Sequence, residues 1–251
     1  MSKKNKQKVM TAKLNLQIDN EAVAVDISVP SALSGAEVIL PFVRDLSDKS
    51  IRIAVESGLK ENENIACSKG CGECCAQLVP VTEIEIQEIA KYIDKQPKTK
   101  KEKIKKSFTQ AKKKLEEVGM WDRLMNPQLI DLEKSTDFGL DYFDQKIYCP
   151  FLEDGACSIH PVRPLACREY LVTSDPKNCD NPREGNIDGI EIPTRISGAL
   201  GILLEDDEAY VSSWVPLIVA PFWKESHPGK VNKKTGTEWV EVFLQKLGKV
   251  S

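Results

Sequence analysis

Eight cysteines stand in this 251-residue chain, and they are grouped. Cys67, Cys71, Cys74 and Cys75 fall within Cys67-Ser-Lys-Gly-Cys-Gly-Glu-Cys-Cys75. Cys149, Cys157 and Cys167 follow after a long interval, and Cys179 trails them. Thiolates two to four residues apart on a turning loop can converge on one ion about 2.3 Å away. Gly70 and Gly72 permit the positive φ values and close backbone approach such a turn needs. Neighbouring amides can donate to the sulfurs, and Lys69 can offset thiolate charge. Adjacent side chains diverge in an extended backbone, so Cys74 and Cys75 suit two centres, or one polynuclear centre, better than one mononuclear site. Cys-X₂-Cys spacings are shared by zinc and iron–sulfur proteins, so spacing leaves the choice between an iron–sulfur cluster and zinc open. A lone buried cysteine reads as a core residue, whereas four within nine residues beside glycines read as ligands. Cys179 fits either reading. His160, inside the second group, is expected to support the site rather than ligate, because eight thiols suffice. Arg163 and Arg168 flank Cys167 and are expected to shape its loop or balance thiolate charge. The vicinal pair could also cycle between dithiol and strained disulfide, the weakest of the readings.

The rest of the composition bounds the surroundings. With 41% hydrophobic and 29% charged residues the chain can bury a core, which excludes wholesale disorder. Eight cysteines in 251 residues are too sparse for a disulfide scaffold. A net charge of −3 argues against a bulk polyanion binder. The basic start, Met1-Ser-Lys-Lys, precedes no apolar run of signal-peptide length. The apolar window Trp214–Trp223 is too short to span a bilayer and holds Pro216 and Pro221. No membrane association is expected, and the reading is cytoplasmic. In that compartment grouped thiols mean metal or redox chemistry.

The elements that must position these thiols are legible as patterns. Residues 1–12 read as a disordered tail, and 13–251 as a single domain. Within it, 13–66 holds a hairpin and a helix, 67–181 the cysteine region, and 182–251 C-terminal helices. Leu14, Leu16 and Ile18, then Val23, Val25, Ile27 and Val29, alternate around Asp19-Asn20-Glu21, which predicts a β-hairpin. Ser34-Gly-Ala-Glu37 has capping-box form with Leu33 and Val38 as staple, so a helix is expected from there to about Val55, stopped at Gly58. Pro41 would kink or restart it. Thr82-Glu-Ile-Glu85, with Val81 and Ile86, is a second box. An inserted lysine-rich helix, 98–118, carries the stripe Ile104, Phe108, Ala111, Leu115, Val118 and stops at Gly119. Ile196, Ala199, Leu200, Leu203 and Leu204 repeat helically, as do Val240, Phe243, Leu244 and Leu247 before Gly248. His227, in Ser-His-Pro-Gly, is expected in an exposed turn. The fold class is α+β, mostly helical, with a small N-terminal β-hairpin and an irregular Cys-rich metal-binding core packed on helices.

Residues 91–114 hold eleven lysines, no arginine and only Asp94 and Glu102 as acids. The stretch has a regular apolar stripe, and lysine offers no bidentate fork for phosphate. It therefore reads as a solvated helix face rather than a nucleic-acid surface.

Lys69-Gly-Cys-Gly-Glu-Cys-Cys-Ala-Gln-Leu-Val-Pro80, Cys149-Pro-Phe-Leu, Gly155-Ala-Cys-Ser-Ile-His160 and Arg163-Pro-Leu-Ala-Cys-Arg168 resemble the YkgJ-like cysteine-cluster family, described as zinc- or iron-chelating. The resemblance runs from about residue 34 to 223. It implies chelation by Cys67, Cys71, Cys74, Cys75, Cys149, Cys157 and Cys167, with Cys179 as a further candidate. His160 stands where relatives commonly have tyrosine, which argues against a required ligand. The family has no settled reaction; the metal ion is the partner it implies, and a protein partner is left open. Cys67, Cys71 and Cys74 also form Cys-X₃-Cys-X₂-Cys, which looks like the radical S-adenosylmethionine signature. The family is further similar to flagellin lysine methylase. Together these give the alternative of a cluster-dependent modification enzyme using S-adenosylmethionine. Against it, the sequence shows no barrel repeat and no Gly-rich nucleotide loop.

Overall fold

The computed structural model describes residues 8–206, 212–227 and 233–250. Strands β1 (Val9–Ile18) and β2 (Glu21–Pro30) pair antiparallel from Val9↔Pro30 to Ile18↔Glu21. Asp19 turns the chain with a left-handed φ of 55°. Residues 9–12, expected as tail, are strand. Their side chains are exposed and show no alternation, so only backbone pairing with β2 holds them. Residues 1–7 of the expected tail lie outside the described residues. Val23, Val25, Ile27 and Val29 are buried on one face, as a half-covered antiparallel pair requires.

The expected capping box at Ser34 does not form. The Ser34 amide donates to the Lys234 carbonyl at 2.8 Å, and its own carbonyl accepts from Trp239 Nε1 at 2.9 Å. Glu37 pairs with Lys91 at 2.5 Å. Tertiary partners have taken both ends of the motif. A 3-10 turn, Ala36–Ile39, leads instead into α1 (Leu40–Lys60), with Pro41 in its first turn. Gly58 does not stop α1. It lies within the last turns and is buried beneath the Ile190 side chain, where a Cβ would meet Ile190 Cδ1 at 2.9 Å.

Beyond the first cysteine group, β3 (Pro80–Val81) precedes α2 (Glu83–Asp94). Here both capping-box bonds exist: the Glu85 amide donates to Thr82 Oγ1 at 3.2 Å, and the Thr82 amide donates to Glu85 Oε2 at 2.9 Å. The lysine-rich helix α3 (Lys98–Glu117) buries Ile104, Phe108, Ala111 and Leu115 and ends at Gly119 with φ 70°. Val118, placed on the stripe by spacing, is exposed because the helix has ended before it. Helices α4 (Trp121–Met125) and α5 (Ser135–Asp144) follow. A tight hairpin, β4 (Leu152–Glu153) and β5 (Ala156–Cys157), turns on Asp154 and Gly155, both with positive φ. Then come α6 (Leu165–Arg168), α7 (Ile196–Gly201), β6 (Val215–Pro216), α8 (Ala220–Ser226) and α9 (Gly236–Val250). Helix α9 runs through Gly248 rather than stopping there. The window Trp214–Trp223 is divided among β6, a 3-10 turn and α8, and no helix among the described residues is long and apolar enough to cross a membrane. His227, expected exposed, stacks on the Trp223 ring at 3.7 Å and is half-buried.

The architecture is α+β and mostly helical. Among the described residues two large apolar clusters carry it, with a small third at Ala54, Ile190 and Ile192. One joins α2, α3, α4, α5, β6 and α8 through Ile86, Phe108, Leu124, Phe138, Val215 and Trp223, with Phe151 among them. The other joins the hairpin, α1, α7 and α9 through Val25, Leu46, Ile196 and Phe243. Helix α2 contributes to both, with Ile84 facing the second and Ile86 and Ile89 the first. The cysteine loops lie beside these clusters, and Cys149 and Cys157 pack against the first.

Candidate metal centre

The first cysteine loop turns because Gly70 takes φ 98°, while Gly72 keeps a negative φ of −111°. A 3-10 turn over Glu73–Ala76 then carries Cys74 and Cys75. The loop is anchored at three points. The Ala66 amide donates to the Val172 carbonyl at 2.8 Å, and the Val172 amide donates to Cys67 Sγ at 3.4 Å. The Cys149 amide donates to the Cys75 carbonyl at 2.7 Å. The two cysteine groups, distant in sequence, therefore meet at their facing ends.

Glycines make a second meeting point. A Cβ on Gly155 would fall 2.6 Å from the Gly70 carbonyl oxygen, and Gly155 has φ 73°. Only glycine satisfies both conditions. Gly155→Ala should cost about 2–3 kcal/mol, combining left-handed backbone strain with overpacking. Gly185→Ala is the control: φ is 68° there with nothing within 4 Å, so about 1 kcal/mol is expected. Equal losses for the two variants in urea melts would contradict this contact.

The thiols sort by whose charge each one feels. Burial pushes the Cys149 thiol up to about 12, and nearby Cys157 and Cys74 push in the same direction. Burial likewise raises Cys167, with Cys149, Cys74 and Cys157 adding repulsion. Cys157 is raised by burial, against the pull of Arg163 and Arg168. The Cys75 thiol donates to Cys74, which lowers Cys74 to about 6 and raises Cys75, and Cys149 and Cys167 repel Cys75 further. On the other side, burial raises Cys179, which also feels Cys67, Cys71 and Cys74. Cys179 itself is 4% exposed. Cys149, Cys157 and Cys167 thus lie within electrostatic reach of Cys74, and so does Cys179, which also feels Cys67 and Cys71.

The cations are placed as expected around Cys167. Arg168 donates through Nε to the Arg163 carbonyl at 3.0 Å and through Nη1 to Asp48 Oδ1 at 3.0 Å, tying the loop to α1. Arg163 pulls down the thiols of Cys74, Cys157 and Cys167. His160 is exposed and contributes its carbonyl to the Arg163 amide at 3.2 Å, so it shapes the loop through its backbone.

Several supports had no signal in local spacing. Glu85 accepts from the Leu165 amide at 2.8 Å with its second oxygen, fixing the start of α6, and with it Cys167, to α2. Burial raises the Glu85 carboxyl, while the Thr82 and Leu165 amides oppose that rise. Glu169, 3% exposed, accepts from Ser47 Oγ at 3.3 Å and the Ser197 amide at 3.0 Å, joining α6 to α1 and α7. Gln77 Nε2 donates to the Tyr170 hydroxyl at 2.9 Å, beside Cys67, Cys74 and Cys179. Helix α3 also takes part. Lys103 pairs with Glu153 at 2.9 Å, and Lys100 Nζ reaches the Ser158 carbonyl at 3.4 Å, so two lysines hold the β4–β5 hairpin that carries Cys157. The lysine face is therefore not merely solvated.

The donor set fits thiolate chelation chemically. All-sulfur ligation selects zinc or iron–sulfur over harder cations. The weakened acidity of the buried thiols would be reversed by a cation, because metal binding releases the thiol protons. Among the described residues no group of three His, Cys, Asp or Glu side chains already converges closely enough to hold an ion, so thiols would have to swing inward.

Comparison with known proteins bears on the same segment. Residues 66–184 match the CxxCxxCC family model, described as "Putative zinc- or iron-chelating domain". No curated protein and no solved structure matches the chain.

Proposed function

We propose, from the match of residues 66–184 to the CxxCxxCC family model, that this chain is a metal-binding protein whose clustered cysteines chelate iron, as an iron–sulfur cluster, or zinc. The observation that carries the reading is the convergence of Cys-bearing segments distant in sequence, joined by the 2.7 Å bond between Cys149 and Cys75. The ligand set is Cys67, Cys71, Cys74, Cys75, Cys149, Cys157, Cys167 and Cys179. Their grouping supports two neighbouring thiolate sets divided at the vicinal pair. Cys67, Cys71, Cys74 and Cys179 would form one, and Cys75, Cys149, Cys157 and Cys167 the other. Bound metal would supply positive charge to buried thiolates and tie the two loops together. The chain's own residues hold the loops in reach: Gly70 and Gly155 by contact, Arg168 by its carbonyl and Asp48 bonds, Glu85 through Leu165. Among the described residues the strands pair as three two-stranded antiparallel sheets, which lends the S-adenosylmethionine alternative no support.

Anaerobically purified protein, assayed for zinc, iron, sulfide and visible absorption, tests this. Stoichiometric iron and sulfide with absorption near 400 nm, or stoichiometric colourless zinc, is the expected result. Neither metal nor sulfide would defeat the reading.

A further inference from the structure

One cleft borders the candidate centre, with a volume of about 570 Å³. That lies within the range of small-molecule sites, roughly 300–1,000 Å³. Helix α3 forms one wall with Ser107, Lys113 and Lys114, and the segment before β4 forms the other with Lys146, Tyr148 and Cys149. The cleft therefore reaches one of the proposed ligands. Its charge is lopsided. Glu117 is the only acid lining it, and Lys113 stands 3.9 Å from Glu117. Lys146 leans on Phe143 at 4.1 Å and on Asp180 at 3.3 Å, both outside the lining. Lys114 has no ion-pair partner among the described residues. Lys113 and Lys114 belong to the part of the basic stretch that neither packs the core nor holds the β4–β5 hairpin.

A hydrated divalent cation would be repelled by such walls, whereas an anionic complex of the same metal would be drawn in. We propose that this cleft receives a small anionic metal chelate, carboxylate-ligated, and that the ion passes from it to Cys149. The inference rests on the chelation reading above. The transfer is ligand exchange without redox change. One metal–oxygen bond breaks, one metal–sulfur bond forms, and the Cys149 thiol proton leaves to the released carboxylate or to water. The ion then moves on to the remaining thiols. Tyr148 lines the cleft at 46% exposure.

The test loads the metal-free full chain with zinc from two donors, zinc citrate and hydrated zinc in a non-coordinating buffer, and follows the rate by stopped flow. The variant is Lys113→Glu/Lys114→Glu, both exposed positions on α3. Loading from zinc citrate should slow about tenfold or more in the variant, the lower end of electrostatic steering effects, and should slow in the wild type as salt rises. Loading from hydrated zinc should not slow. Zinc content at equilibrium and the melting curve should match wild type, which separates route from folding. The same response with both donors, or none with either, would overturn the cleft while leaving chelation intact. A wild-type chain that takes zinc from neither donor would overturn both.

Discussion

Cys149→Ser should lower metal content and melting temperature together. Cys149 sits where the two cysteine groups meet, with its amide on the Cys75 carbonyl, its side chain against the larger apolar cluster and its sulfur near Cys157 and Cys74. A metal held by thiols from both groups closes a loop of some 75 residues. Closing such a loop removes about 4 kcal/mol of chain entropy from the unfolded state. Serine preserves shape and the amide bond but cannot supply a thiolate, so the variant keeps the loop contact and loses the cross-link. The measurement is metal per chain alongside thermal unfolding, with and without a strong chelator. Wild type in chelator should melt at or below the variant, and the variant should keep a smaller response to chelator from the set of Cys67, Cys71, Cys74 and Cys179. Full metal with unchanged melting would remove Cys149 from the ligand set.

Phe108→Ala should cost about 3–5 kcal/mol. Phe108 is 1% exposed and meets Phe151, also 1% exposed, edge to face at 5.3 Å. Phe151 lies two residues beyond Cys149, so the cavity would open directly beneath the second cysteine group. The loss should therefore appear twice, as a lower urea midpoint and as weaker metal retention against a chelator. The conservative Phe108→Leu keeps most of the volume and should cost less than half as much. A loss under about 1 kcal/mol for alanine would mean that α3 does not brace the site.

The parts of the fold that rest on neighbours in sequence could be read from sequence. Thr82 and Glu85 cap α2 because both groups of the box lie three residues apart and little competes for them. The same spacing failed at Ser34, where Lys234 and Trp239 claim the backbone and Lys91 claims Glu37. Gly58 looked like a stop signal, yet its value lies in the missing side chain under Ile190. At the site, the grouping of the cysteines made it legible that the segment around Cys67–Cys75 and the segment from Cys149 belong together, and the bond between Cys149 and Cys75 joins them. The company Cys179 keeps was not legible, because it follows from the packing of the turn over Pro176–Asp180 onto the turn over Glu73–Ala76. Nor could spacing reveal that Glu85 spends its second oxygen on Leu165, or that Lys103 serves Glu153. Those pairs are 80 and 50 residues apart, and no periodic pattern encodes them.

The junction of Cys75 with Cys149 also sets a clock on biosynthesis. A ribosome adding about 5–20 residues per second needs roughly 4–15 seconds to pass from the first cysteine group to the second. For that interval Cys67, Cys71, Cys74 and Cys75 are made while the thiols that complete their surroundings are not. An ion captured then would be held by an incomplete set, and an oxidant arriving then would find the vicinal pair unshielded. The order of synthesis thus favours metal delivery after the chain has closed on itself.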